Sequence, residues 1–222
     1  MIFLDIHAHT EARNDESVLR VQNLNPGEAI RPDTYVSMGL HPWYVDENYG
    51  EQLTLLRESL SRQEVVALGE CGLDKACRTP YELQRVAFAE QIALSESQEL
   101  PLMLHVVRAW DDLLAMRKEA KPAQPWIVHG FRGGKELAEQ LIRAGLFLSF
   151  GCRFEPDALR LAYRLGAALI ETDESVIDIR VHYYEVAQII GCPLQELQRH
   201  AVALGIGLFP RLSLRRHFAS VG

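Results

Sequence analysis

Long apolar runs are missing from this 222-residue sequence. No stretch approaches the ~20 consecutive residues that a membrane-spanning helix needs, which argues against a membrane protein. Cysteine is scarce: Cys71, Cys77, Cys152 and Cys192 are too few and too widely spaced for a disulfide framework or a four-cysteine zinc site. They are expected to be reduced and partly buried, as free cysteines usually are. Basic residues are also short, with 23 Lys and Arg against 30 Asp and Glu and a net charge of −7. That balance argues against general electrostatic attraction to nucleic acid, while a local basic patch would still draw phosphate. The start Met1-Ile2-Phe3-Leu4-Asp5 lacks the basic stretch and cleavage site of a signal peptide, so a cytoplasmic location is expected. No linker, repeat or low-complexity segment divides the chain, and residues 1–222 are read as one domain.

What is present is an alternation of short apolar runs with longer stretches of helical periodicity. That is the signature of a βα-repeat with a parallel sheet. Strands are predicted near 2–8, 18–24, 34–40, 64–70, 101–105, 125–130, 146–150 and 168–172. Helices are predicted over 46–62, 80–98, 109–119, 134–144, 155–165, 178–190 and 194–204. The clearest helix is Tyr81 to Ser97, where Leu83, Val86, Phe88, Ile92 and Leu94 interleave with glutamates and glutamines. Eight strands close a parallel barrel, so the fold class is α/β, a (β/α)8 TIM-like barrel. Residues 10–33 hold a strand but no full helix as well, so the barrel is expected to have lost or shortened its first helix. A seven-stranded open sheet is the alternative.

The ends of the predicted strands carry the chemistry. Asp5-Ile6-His7-Ala8-His9 closes the first, and alternation leans His7 and His9 to one side. Val65-Val66-Ala67-Leu68-Gly69 ends in Glu70, Pro101-Leu102-Met103-Leu104 in His105, Pro125-Trp126-Ile127-Val128 in His129, and Leu169-Ile170-Glu171-Thr172 in Asp173. C-terminal strand ends open on the face where barrel active sites lie. Buried ionisable groups need partners, and a metal partners several at once. Four imidazoles and two carboxylates exceed the needs of one tetrahedral ion. Two divalent ions roughly 3.5–4 Å apart, bridged by a carboxylate, would use the whole set. Mixed imidazole and carboxylate donors accept zinc, manganese, magnesium, iron or nickel.

On these residues the chain resembles the TatD family of metal-dependent hydrolases, within the amidohydrolase-like TIM barrels. The segments that carry the resemblance occur in the family's order: Asp5-Ile6-His7-Ala8-His9, Gly39-Leu40-His41-Pro42, Gly69-Glu70-Cys71-Gly72-Leu73-Asp74, Pro101 to His105, His129-Gly130-Phe131 and Glu171-Thr172-Asp173. The resemblance implies deoxyribonuclease activity on phosphodiester bonds with one or two divalent ions. By position, His7, His9 and Asp173 resemble the ligands of a first ion, Glu70 the bridging carboxylate, and His105 and His129 the ligands of a second. His41 resembles a substrate contact. This chain departs from the family pattern in Arg108, displaced by one residue after His105. It departs also in Asp173-Glu174-Ser175, in a missing asparagine before Leu208-Phe209, and in the short segment after His9.

The chemistry expected is hydrolysis of a phosphate ester by metal-activated water, with Asp173 orienting that water or taking its proton. Arg108, Arg132 and Lys135 can hold non-bridging oxygens, and Gly133-Gly134 before a helix offers N–H groups to phosphate. The partner is expected to be DNA or a small phosphoester. Hydrolysis of a small phosphoester, amide or lactone on the same site is a second reading, and non-catalytic metal or phosphate binding a third. Asp74 reads as either a partner of a metal ligand or a turn residue. Alternation puts Glu171 on the same side as Asp173, which is uncomfortable for a barrel interior. His182, His200 and His217 read as surface groups.

Overall fold

A computed structural model describes residues 2–11 and 15–212. Eight strands follow in order, β1 (Phe3–Ala8), β2 (Val18–Leu24), β3 (Tyr35–Met38), β4 (Val65–Asp74), β5 (Leu102–Val107), β6 (Trp126–Val128), β7 (Leu146–Phe150) and β8 (Ala168–Ile170). Each pairs in parallel with the next. β8 returns to β1 through the main chain of Asp173: its N–H donates to the His7 carbonyl at 3.0 Å, and its carbonyl accepts from the His9 N–H at 3.0 Å. The barrel expected from the strand count is therefore present, nearly closed, with its seam at the ligand-bearing ends.

The helices are α1 (Tyr49–Ser59), α2 (Tyr81–Gln98), α3 (Trp110–Ala120), α4 (Lys135–Arg143), α5 (Pro156–Arg164), α6 (Ile179–Ile190) and α7 (Leu194–Leu208). Among the described residues no helix joins β1 to β2, as expected, and none joins β2 to β3 either. The second omission has a local cause. Pro26, Gly27 and Pro32 interrupt the connection, and Gly27 adopts φ +86°, a left-handed conformation that suits glycine and ends helices. The outward side chains of β2, Val18, Arg20, Gln22 and Leu24, are accordingly only half-buried.

Two apolar layers hold the barrel. The lumen is filled by residues such as Leu4, Ile6, Val21, Val66, Met103, Ile127 and Leu169, and stoppered by Leu208, Phe209 and Leu212 after and at the end of α7. The outer layer packs strand faces on helices through Phe88, Trp126, Leu141, Phe150 and Tyr183 among others. Gly205 is what lets α7 cross beneath β1, since a Cβ there would lie 2.2 Å from the Leu4 side chain.

Three expectations change. α2 does not bury the expected stripe: Val86 is exposed, whereas Gln84, Gln91 and Ser95 are buried beside Phe88, Ile92 and Leu94. The buried glutamines clamp loops instead. Gln91 accepts from the Leu40 N–H at 2.7 Å and donates to the Leu40 carbonyl at 3.2 Å, and Gln84 brackets the Asp74 main chain at 2.8 and 3.0 Å. His182 is buried rather than on the surface, because Ile179, His182, Tyr183 and Val186 share the face of α6 that packs on the barrel. Its Nε2 lies 3.0 Å from the Phe150 carbonyl. His200 is half-buried against the ring of Tyr163, and His217 lies outside the described residues.

Candidate metal centre

Strand alternation alone does not deliver the site residues. Leu4 and Ile6 both occupy the lumen layer, so unbroken alternation would send His7 outward. The register shifts between Asp5 and Ala8, and this irregularity turns His7 into the mouth. Glu70 depends on a similar device. β4 does not end at Glu70 as the sequence suggests but runs on to Asp74, and its register with β5 shifts between Leu68 and Cys71, bracketing Glu70. Gly69 makes room for that step: its φ is +153°, and a Cβ there would lie 2.4 Å from the Met103 carbonyl oxygen.

The result is a carboxylate ringed by imidazoles. Glu70 Oε1 lies 3.3 Å from His7 Nε2 and 3.0 Å from His9 Nε2. Glu70 Oε2 lies 2.8 Å from His129 Nε2, 3.5 Å from His41 Nε2 and 3.6 Å from His105 Nδ1. Asp173 Oδ1 stands 3.7 Å from His7 and 3.6 Å from His9. Asp173 reaches this position from φ +55°, a left-handed conformation uncommon outside glycine. His7, Glu70, His105, His129, His9, Asp173 and His41 thus come to one mouth. Arg108 and Arg132 are exposed on the wall of the same cavity, of about 670 Å³. Lys135 does not line it but faces a neighbouring groove with Arg160 and Arg164.

Electrostatics favour the charged forms of Glu70, His129 and His9. Burial would push the Glu70 carboxyl up, but the His129 and His7 rings keep it well below the ordinary range. Burial likewise opposes a charge on His129, yet Glu70 and Glu171 hold its pKa well above the usual imidazole value. The hydrogen bond to Glu70 raises His9, whereas burial lowers His41.

The donor set fits divalent metal. Both ring nitrogens of His7 and of His129 are buried without a hydrogen-bonded partner, although carboxylate oxygens lie within 4 Å. Buried polar atoms seldom stay unsatisfied in a native protein. Here His7, His9 and Asp173 form one convergent group and His7, Glu70 and His129 another, each with its ligand atoms within 4.8 Å of one another.

Supporting residues complete the ring. Glu171 resolves its awkward parity because β8 ends at Ile170, before it. Its buried Oε1 accepts from the Gly130 N–H at 2.6 Å and faces His129 Nδ1 at 3.6 Å. Asp74 Oδ2 lies 3.2 Å from His105 Nε2, so Asp74 is a partner of that ring and not only a turn residue. Sequence reasoning missed Asn23. Its Nδ2 donates to Glu70 Oε1 at 3.2 Å, and its Oδ1 accepts from the Glu70 N–H at 3.1 Å. The signal was available, for Asn23 is a polar residue near the end of the apolar run of β2. Partners that orient ligand rings contribute roughly 10–100-fold in metal affinity or activity. Glu171→Gln, which keeps an acceptor for Gly130 but removes the charge behind His129, is expected to lower affinity in a metal titration by that factor. Unchanged affinity would rule out this role.

The comparisons with known proteins bear on this centre. A family profile described as "TatD related DNase" matches residues 12–178. An "Uncharacterized metal-dependent hydrolase YjjV" of Escherichia coli is 33% identical over 146 residues, covering 64% of this chain and 54% of its own. A "3'-5' ssDNA/RNA exonuclease TatD" of Erwinia billingiae is 38% identical over 111 residues, covering 49% and 42% respectively. The matches span about half the length of these curated relatives. Among solved structures, the E. coli YjjV crystal structure, described as a TatD homologue, superposes with a TM-score of 0.79 at 23% identity, covering 94% of this chain and 98% of that one. A TatD family hydrolase from Entamoeba histolytica gives 0.73 at 16% identity, covering 95% and 99%.

Proposed function

Since the chain belongs to the TatD-related DNase family, we propose that it is a metal-dependent hydrolase, a deoxyribonuclease that cleaves phosphodiester bonds. The observation that carries this reading is the division of Glu70: one carboxylate oxygen faces His7 and His9, and the other faces His105 and His129. That arrangement suits a carboxylate bridging two ions. His7, His9 and Asp173 would hold one, and His105 and His129 the other. Zinc, manganese, magnesium, iron and nickel are all compatible with these donors. When bound, such ions lower the pKa of water and offset charge on the phosphoryl oxygens.

The chain's own residues do the rest. Asp173, partly open to the cavity, orients the attacking water and takes its proton. Arg108 and Arg132 hold non-bridging oxygens from the wall, where guanidinium geometry matches phosphate. His41 is placed as a donor rather than a ligand. Its Nδ1 accepts the Trp43 N–H at 3.1 Å, which leaves the ring proton on Nε2, the nitrogen that faces Glu70. Among the described residues no helix is long and apolar enough to cross a membrane, and the cysteines are unpaired. We place the whole chain, read as one catalytic domain, in the cytoplasm.

Turnover on single-stranded DNA oligonucleotides with manganese, magnesium and zinc, beside a panel of small phosphoesters, amides and lactones, tests the reading. DNA left intact under all three metals would overturn it.

Metal uptake should also release protons. In the metal-free protein the raised pKa of His129 contributes stability that is full below the ordinary imidazole value and lost as pH rises through the raised one. The depressed Glu70 contributes stability present above the ordinary carboxylate value and lost as pH falls through the lowered one. A metal requires neutral His129, so its affinity is expected to rise about tenfold per pH unit for each proton displaced. Titration calorimetry with manganese in two buffers of different ionisation enthalpy measures this, and identical heats in both would exclude it.

A further inference from the structure

The mouth of the metal centre carries an exposed aromatic face that the chemistry above does not use. Trp43 is 52% exposed and Tyr44 is 62% exposed, and both line the cavity that holds Glu70, His105 and Arg108. Exposure alone would mean little, since single apolar residues on a surface are ordinary. The difference lies in how Trp43 is held. Its indole N–H donates to Asp74 Oδ2 at 2.5 Å, and Asp74 is itself buried. The ring also meets His41 and His105 edge-on, with centroids 4.9 and 5.5 Å away. The Trp43 main-chain N–H is fixed on His41, and Gln91 on α2 holds Leu40 just upstream. A large π-face is thereby kept open to solvent, in a fixed orientation, beside the reactive carboxylates. A free exposed indole gives up rotamer freedom on binding; this one has already given it up.

We infer that Trp43, extended by Tyr44, is the stacking platform for a nucleobase of the substrate, and so a specificity-determining residue that favours a nucleotide strand over a bare phosphoester. The identity of the ligand rests on the phosphodiesterase reading. Aromatic stacking suits this role because every base has a π-face, whatever the sequence. A base must leave its own helix to lie on the indole, so an unpaired strand is the preferred form. Arg108, on the same wall, is then positioned for the adjoining phosphate.

The test compares two fluorescently labelled strands of equal length, one of ordinary single-stranded DNA and one built wholly of abasic sugar-phosphate units. Equilibrium binding is measured by anisotropy in the presence of a chelator, so that no turnover intervenes. Wild-type protein is expected to prefer the base-bearing strand by roughly 5- to 150-fold, the range that stacking of a base supplies. Trp43→Leu should bring the two affinities together by weakening only the base-bearing strand. Trp43→Phe, which loses the bond to Asp74 but keeps a ring, should retain most of the preference. Equal wild-type affinities would overturn the inference without any variant, whether or not Trp43→Leu folds. So would a loss in Trp43→Phe equal to that in Trp43→Leu, since Trp43 would then act only by supporting Asp74. Hydrolysis of the same DNA strand with manganese is measured in parallel. A base preference without hydrolysis under any metal would leave the platform standing and remove the nuclease reading; hydrolysis without a base preference would do the reverse.

Discussion

Glu70→Gln is expected to reduce turnover by roughly 10³-fold while leaving the barrel folded. Glutamine keeps the shape and one acceptor oxygen, so Asn23 can still donate to it and the lumen packing is untouched. What disappears is the negative charge at the centre of five imidazoles, those of His7, His9, His41, His105 and His129. Removing one member of a buried, charged constellation costs about 3–5 kcal/mol, because the remaining groups lose their compensation. If that loss falls on binding of the ions and the transition state, it corresponds to two to more than three decades of rate. Elemental analysis should show a fall in bound metal in parallel, and circular dichroism an unchanged fold. A rate within threefold of wild type would show that Glu70 is not the bridge.

Asp5→Ala is expected to be the most damaging change outside the metal ligands, lowering the free energy of unfolding by about 3–5 kcal/mol. Asp5 is fully buried, and burial pushes its carboxyl above the ordinary range despite the nearby Arg20. It accepts from the Thr172 N–H at 2.9 Å, from the Thr172 hydroxyl at 2.8 Å and from Arg20 Nε at 2.9 Å. Alanine would leave these donors facing an apolar gap, the case in which losing one partner costs far more than the bond itself contributed. Because Thr172 precedes Asp173, the loss should appear in activity as well as in stability. Denaturant titration reads the first effect. A midpoint shift equivalent to less than 1 kcal/mol would show that Arg20 and Thr172 find other partners. Asp5→Asn, which keeps the shape and one acceptor oxygen but turns an NH2 group toward the remaining donors, should fall between alanine and the wild type.

The fold was legible wherever pattern and chemistry coincide. Short apolar runs marked all eight strands, five of them ending in an ionisable residue, and helical periodicity marked the seven helices to within a few residues. The residues named from strand ends do meet at one mouth. Residues 10–33 read as a strand without a full helix, and among the described residues none forms there. Two things escaped. The burial of Gln84, Gln91 and His182 runs against side-chain polarity, which tertiary hydrogen bonds override. The supporting role of Glu171 needs the early end of β8, and the meeting of Asn23 with Glu70 needs the register shift in β4; no period-2 rule anticipates these two irregularities.

The seam of the barrel has a consequence for synthesis. His7, His9 and Asp173 converge where the first strand meets the residues just past the last, through paired main-chain bonds between His7, His9 and Asp173. A chain emerging from the ribosome therefore carries its first two imidazoles from the outset but cannot present them with their carboxylate until the eighth strand has followed. Any fragment that stops short of Asp173 lacks both the main-chain closure onto His7 and His9 and one carboxylate of the candidate ligand set.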